Sequence, residues 1–176
     1  MKDIYTAPFV EEMRKTTANM YRLGWDERNG NISYLLDENE VGEYLNLNHV
    51  IRAIPLVFDA TAIIGKIFIV TGTGKYFKNV DGDPETNLGI VRIAADGQTA
   101  ELLWGYKDGG KFTSEFPAHL MSHMARLALD PDNRVVMHCH PTYTLAMNYV
   151  HELDEKKFTH TLWEMCTECI VVFPDG

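Results

Sequence analysis

Cysteine is scarce in this chain. There are three in 176 residues, with Cys139 between two histidines and Cys166 three positions before Cys169. That spacing makes no disulfide framework and fits a reducing cytoplasm. Positive charge is short as well: 16 Lys and Arg stand against 25 Asp and Glu, a formal net charge of -9. The basic residues are scattered, which excludes the electrostatic footprint of a nucleic-acid binder but leaves room for a small anion held by local backbone groups. No apolar run approaches the ~18 residues of a membrane span, and Met1 to Val10 lacks the apolar core of a signal peptide. Repeats, low-complexity tracts and linkers are absent too. What the chain does have is 45% hydrophobic content over the length of one ordinary domain, enough to bury a core without covalent staples.

Periodicity predicts the elements. Phe9, Met13, Met20 and Leu23 recur at helical intervals, and Gly24 stands where a left-handed cap would end that helix. The turn-rich Trp25 to Asn31 leads to a short apolar strand, Ile32 to Leu36. Asp37 to Asn48 reads as an acidic surface excursion with a helical turn around Val41 to Leu45. The β-branched run Ile67 to Thr71 is a buried strand emptying into Gly72-Thr73-Gly74-Lys75. Leu88 to Ile93 and Thr99 to Trp104 flank Ala95-Asp96-Gly97-Gln98 as a hairpin. Thr113 or Ser114 caps a helix whose apolar stripe is Phe116, Leu120, Met124 and Leu127. A strand from Arg134 to His138, a helix from Pro141, a helix from Asp154 to Met165 and a strand from Cys169 to Phe173 complete the chain. The fold class is therefore α/β, with a mixed sheet.

His138-Cys139-His140 is the most informative triplet. Alternate side chains of a strand share a face, so both imidazoles can converge on one cation while Cys139 points away. Imidazole suits zinc, but a catalytic site normally takes three protein ligands and keeps one position open. Two polar histidines at a strand end are the plain alternative. Cys166-Thr167-Glu168-Cys169 offers a competing Cys-containing zinc site, but a deaminase pairs C-x-x-C with H-x-E, and here His140 occupies the glutamate position. The Gly72 to Lys75 loop is no Walker A, which would need glycine at Ile69 and Ser or Thr at Tyr76. It remains a turn whose N–H groups and Thr73 hydroxyl can form a small anion nest. Asn29-Gly30-Asn31 and Thr113-Ser114 combine short polar side chains and accessible amides in the same way, though each alone reads equally as a cap or Asx turn. Glu115, at a helix N-terminus, is either a helix-stabilising residue or a general acid/base beside a metal.

Taken together, several segments resemble the class II sugar-phosphate aldolases along the whole chain. They are Gly24-Trp25-Asp26-Glu27-Arg28-Asn29-Gly30-Asn31, Phe68 to Lys75, Asn87 to Val91, Thr113-Ser114-Glu115 with Pro117-Ala118-His119, Met137 to His140, Leu162-Trp163-Glu164, and Thr167-Glu168-Cys169 through Phe173-Pro174-Asp175-Gly176. The resemblance implies one class II aldolase domain over residues 1–176, with a central mixed, largely antiparallel sheet flanked by helices. It implies zinc ligation by His138 and His140, acid/base catalysis by Glu115, and phosphate binding by Asn29, Gly30, Asn31, Thr73, Gly74, Thr113 and Ser114. Glu168 is implied to enter the site of a neighbouring subunit of a cyclic tetramer. The implied reaction is retro-aldol cleavage of a ketose 1-phosphate through a zinc-stabilised enediolate. On the likeness of the W-D-E-R-N-G and F-P-D-G segments, the substrate is L-rhamnulose 1-phosphate and the products are dihydroxyacetone phosphate and L-lactaldehyde.

Two departures from the family pattern stand out. The loop after Arg28 lacks a glycine the family usually has, which shifts the Asn29 and Asn31 positions. The family's third zinc histidine falls beyond Gly176, so a further C-terminal portion is expected; His151 and His160 lie in polar helical surroundings and are expected to face solvent. The alternatives are another sugar-phosphate reaction, such as epimerisation or dehydration, and an inactive adducin-like assembly module.

Overall fold

A computed structural model of the chain describes residues 1–26, 29–172 and 174, so the Glu27-Arg28 part of the first quoted segment and Phe173, Asp175 and Gly176 of the last lie outside the described residues. The chain divides into two compact units, Met1–Cys139 and His140–Gly176.

In the first unit, α1 spans Pro8–Arg22 and buries Phe9, Val10, Met13 and Met20. It ends as expected at Gly24, φ +70°, where the Gly24 and Trp25 N–H groups donate to the Tyr21 and Met20 carbonyls. Strand β1 (Asn31–Leu36) follows, then α2 (Glu38–Gly42), whose first amides, at Asn39 and Glu40, donate to the Asp37 carboxylate. Next come β2 (Arg52–Pro55), β3 (Ile67–Thr71), the short helices α3 (Phe77–Val80) and α4 (Pro84–Asn87), the hairpin β4 (Leu88–Ile93) and β5 (Thr99–Gly105), α5 (Phe116–Leu127) and β6 (Val135–His138). Strand β2 went unpredicted because it is short, contains Pro55 and lies at the sheet edge, where proline is tolerated.

The six strands form one sheet in the order β2-β5-β4-β3-β1-β6. Every described pairing is antiparallel. Strand β3 is buried on both faces, which explains its uninterrupted apolar run. Ile67 and Ile69 join Phe9, Met13, Ile32 and Leu88 in one core layer, while Phe68 and Val70 join Val91, Leu102, Phe116 and Leu120 in the other. Each such fully buried side chain contributes about 1.5–3 kcal/mol relative to exposure. The layers place α5 against the sheet and bring its first turn to the end where β1 begins and β6 ends.

The second unit holds α6 (Thr142–Val150), α7 (Glu155–Met165) and α8 (Glu168–Val172), and none of the three contains a fully buried residue. The strand expected over Cys169 to Phe173 is a correction: its described part is helical. β-branched residues favour a strand only when a partner strand takes up their backbone groups, and no described strand pairs with this segment. Local bonds serve instead, with the Cys169 and Ile170 N–H groups donating to the Cys166 and Thr167 carbonyls. Among the described residues, no helix is long and apolar enough to cross a membrane, and all three cysteines are free thiols.

Candidate active site

Asn31 and His138 face each other across the β1–β6 ladder, in register at one end of the sheet. Glu115 is the N-cap residue of α5. Its Oε2 lies 2.6 Å from His138 Nδ1, with both side chains partly open to solvent. The helix terminus and the strand end thus bring together the predicted acid/base and one predicted metal ligand.

Two anion-binding candidates are zipped together by backbone bonds. The Thr113 N–H donates to the Thr71 carbonyl, Gly72 and Phe112 form a bridge, and the Thr73 N–H donates to the Lys111 carbonyl. The Gly72–Gly74 turn and the Thr113–Ser114 segment are therefore neighbours. Thr71 ties this pair to the third candidate, because its Oγ1 accepts the Ile32 N–H at 3.0 Å. Gly74 takes φ +68°, a conformation that favours glycine, and both it and Thr73 are exposed. Ser114 is exposed, whereas Thr113 is buried and its hydroxyl accepts the Glu115 N–H at 3.3 Å. Asn29 is exposed, and its N–H donates to Asp26 Oδ1 at 3.1 Å. Gly30 is required by close approach: a Cβ there would lie 2.5 Å from Asp26 Oδ2 and 2.9 Å from the Phe77 ring.

Asn31 differs from the exposed candidates because it is buried and its side chain is engaged at both ends. Its Nδ2 donates to the Asn29 carbonyl at 3.3 Å and lies 3.3 Å from His138 Nδ1. Its Oδ1 meets His119 Nε2 at 2.5 Å. His119 Nδ1 and His123 Nε2 each lie 2.8 Å from Ser33 Oγ. Burial pushes both His119 and His123 down to about 4, so both imidazoles are neutral near neutral pH. Asp26, Ser33, His119 and His123 were not singled out as functional candidates in the sequence. A signal existed: Glu115, His119 and His123 recur every fourth residue and so share a face of α5 beside its apolar stripe.

His140 is half-buried at the start of the second unit, and Glu168 is exposed as the first residue of α8. His160 is exposed as expected, while His151 is half-buried with its ring edge-on to Phe158. Among the described residues no group of three or more His, Cys, Asp and Glu side chains is arranged to hold a metal. The chemistry of the His138 position nonetheless fits zinc. A metal-bound histidine typically gives its second ring N–H to a carboxylate, and Glu115 stands at Nδ1, leaving Nε2 for an ion.

The family described as Class II Aldolase and Adducin N-terminal domain matches residues 11–176. Rhamnulose-1-phosphate aldolase of Listeria monocytogenes is 63% identical over 176 residues, covering 99% of this chain and 64% of that protein. The Enterococcus faecalis protein of the same name is 63% identical over 175 residues, with 99% and 63% covered. The chain thus spans somewhat under two thirds of the length of these curated relatives. Among solved structures, a sugar-phosphate aldolase from Thermotoga maritima superposes with a TM-score of 0.73 at 27% identity, covering 95% of this chain and 67% of that one.

Proposed function

On the premise that the chain belongs to the Class II Aldolase and Adducin N-terminal domain family, we propose that the complete protein is a zinc-dependent lyase. It cleaves L-rhamnulose 1-phosphate to dihydroxyacetone phosphate and L-lactaldehyde, in the cytoplasm and as a homotetramer. The observation that carries this reading is the 2.6 Å contact between Glu115 and His138. It lies at the sheet end where the segments around Asn29, Thr73 and Ser114 converge. The high identity to relatives named for this reaction supports the choice of substrate.

Each residue then has a chemical task. All exposed, Asn29 offers its side-chain amide, Gly74 its backbone N–H, and Thr73 and Ser114 their hydroxyls to the phosphate, while the buried Gly30, Asn31 and Thr113 hold those segments in shape. Binding the phosphate away from the reacting carbons fixes C3 and C4 beside Glu115 and His138. On the family resemblance, His138, the last residue of β6, and His140 are the chain's own ligands for the ion. Zinc, when bound there together with ligands beyond these two, supplies Lewis-acid stabilisation of the negative charge that develops on the ketose oxygens. As the C3–C4 bond breaks, its electron pair stays on C3. The C4 hydroxyl loses a proton in becoming the aldehyde, and C3 gains one, so the step is proton-neutral overall. Glu115 delivers the proton to C3 in cleavage and removes it in condensation. Glu168 acts from one subunit in the site of the next.

The test is to incubate the full-length protein with L-rhamnulose 1-phosphate and follow triose phosphate through its coupled reduction by NADH. Release that a chelator abolishes and zinc restores is the expected result. Full-length, zinc-loaded protein that releases no triose phosphate would overturn the assignment.

A further inference from the structure

Behind the Glu115–His138 pair runs a buried line of polar groups, Asn31, His119, Ser33 and His123, the last three of which have no task in the proposed chemistry. Its polarity follows from the end at Asn29. A backbone carbonyl can only accept, so the Asn31 group facing Asn29 is the amide nitrogen, and Asn31 Oδ1 is turned toward His119. His119 Nε2 therefore carries a hydrogen and donates it to Asn31. Being neutral, the ring has a bare Nδ1, which accepts the Ser33 hydroxyl. The Ser33 oxygen in turn accepts from His123 Nε2–H, which leaves His123 Nδ1 as a bare acceptor. Consistent with this, His123 Nδ1 is buried and has no hydrogen-bond partner among the described residues. Each group in the line has one role, set by its neighbour.

The consequence falls on His138. With Asn31 Oδ1 held inward, the Asn31 atom near His138 Nδ1 is an amino nitrogen, which cannot accept a hydrogen. The Glu115 carboxylate at 2.6 Å can. Were the amide reversed, Asn31 would set an oxygen about where its nitrogen now lies, competing with Glu115 for the His138 N–H. We propose that His119 is a positioning residue: by locking the Asn31 side chain it reserves His138 Nδ1–H for Glu115 and so holds the carboxylate in place. This rests on the reading of Glu115 and His138 as the reacting carboxylate and a metal ligand.

Glutamine at position 119 can place an N–H where the His119 Nε2–H now sits, whereas phenylalanine keeps the bulk and removes the donor. In full-length protein, His119→Phe is expected to lower kcat and zinc affinity, the latter measured by competition with a chelating dye, by about 10–100-fold each, with little change in KM. His119→Gln is expected to restore both. A second readout is independent of turnover: the downfield proton resonance of the His138 N–H bonded to a carboxylate, recorded without metal. It is expected in the wild type and His119→Gln and lost or moved upfield in His119→Phe. Should His119→Phe fail to fold, Asn31→Asp keeps an acceptor for His119 and presents a competing carboxylate oxygen to His138; the same losses of kcat and zinc affinity are expected, with the downfield resonance kept but shifted. A folded His119→Phe or Asn31→Asp protein with unchanged resonance, zinc affinity and kcat overturns the proposal. A resonance that responds as described in a protein that cleaves no sugar phosphate would support the positioning role and remove the aldolase reading.

Discussion

His119 and His123, one turn apart on α5, share the hydroxyl of Ser33, each with a ring nitrogen 2.8 Å from it. Both rings are buried, and burial is the main reason that each is pushed down from the ordinary 6.5 to about 4. The sign of the linkage follows. Above 6.5 both folded and unfolded chains carry neutral rings and the pair contributes no pH dependence. As pH falls from 6.5 toward 4 the unfolded chain binds protons that the folded one refuses, so stability declines through that window and levels off below it. Thermal or urea unfolding at a series of pH values checks this. His123→Phe removes one titrating ring and a buried orphan acceptor, and is expected to flatten the decline without a large loss of stability at neutral pH.

Glu115→Gln keeps the size of the side chain and removes its proton transfer. Loss of general acid/base catalysis is expected to lower kcat by about 10²–10⁴-fold. Because the Glu115 side chain is partly exposed, the melting temperature should change little. A steady-state assay beside a thermal melt separates the two effects.

His138→Ala removes a proposed zinc ligand and the partner of Glu115 together. Metal content by mass spectrometry of the full-length protein is expected to fall to background, and added zinc should not restore turnover. In the wild type, removal and return of zinc should be reversible.

Gly30→Ala places a methyl group 2.5 Å from Asp26 Oδ2 and 2.9 Å from Phe77 Cε2. Asp26 is buried and accepts the Asn29 N–H, so it has little room to withdraw. Overpacking here is expected to cost about 1–3 kcal/mol in urea unfolding. It should also raise KM for the phosphorylated substrate, because Asn29 is displaced with the loop.

Much of this fold is legible in the sequence. The apolar run of β3, the period of α1 ending at Gly24 and the hairpin around Asp96-Gly97 are local signals that the tertiary structure agrees with. The juxtaposition of Glu115 and His138 followed from resemblance; their 23-residue separation in sequence says nothing of distance by itself. The Ser33–His119–His123 cluster was hidden because an apolar-stripe reading of α5 registers Phe116, Leu120 and Met124 and passes over the buried histidines between them. The segment after Cys166 misled for another reason: its β-branched composition favours a strand, and strand formation depends on a partner that composition cannot supply.

The pairing of Asn31 with His138 makes the chemistry a matter of strand alignment. A single residue inserted within β6 ahead of Met137 would put Met137 opposite Asn31 and swing the imidazole to the reverse face, away from Glu115. The same insertion in the Leu129–Asn133 connection could be absorbed as slack. For this protein, tolerance to length variation is therefore set by which side of Val135 the extra residue enters.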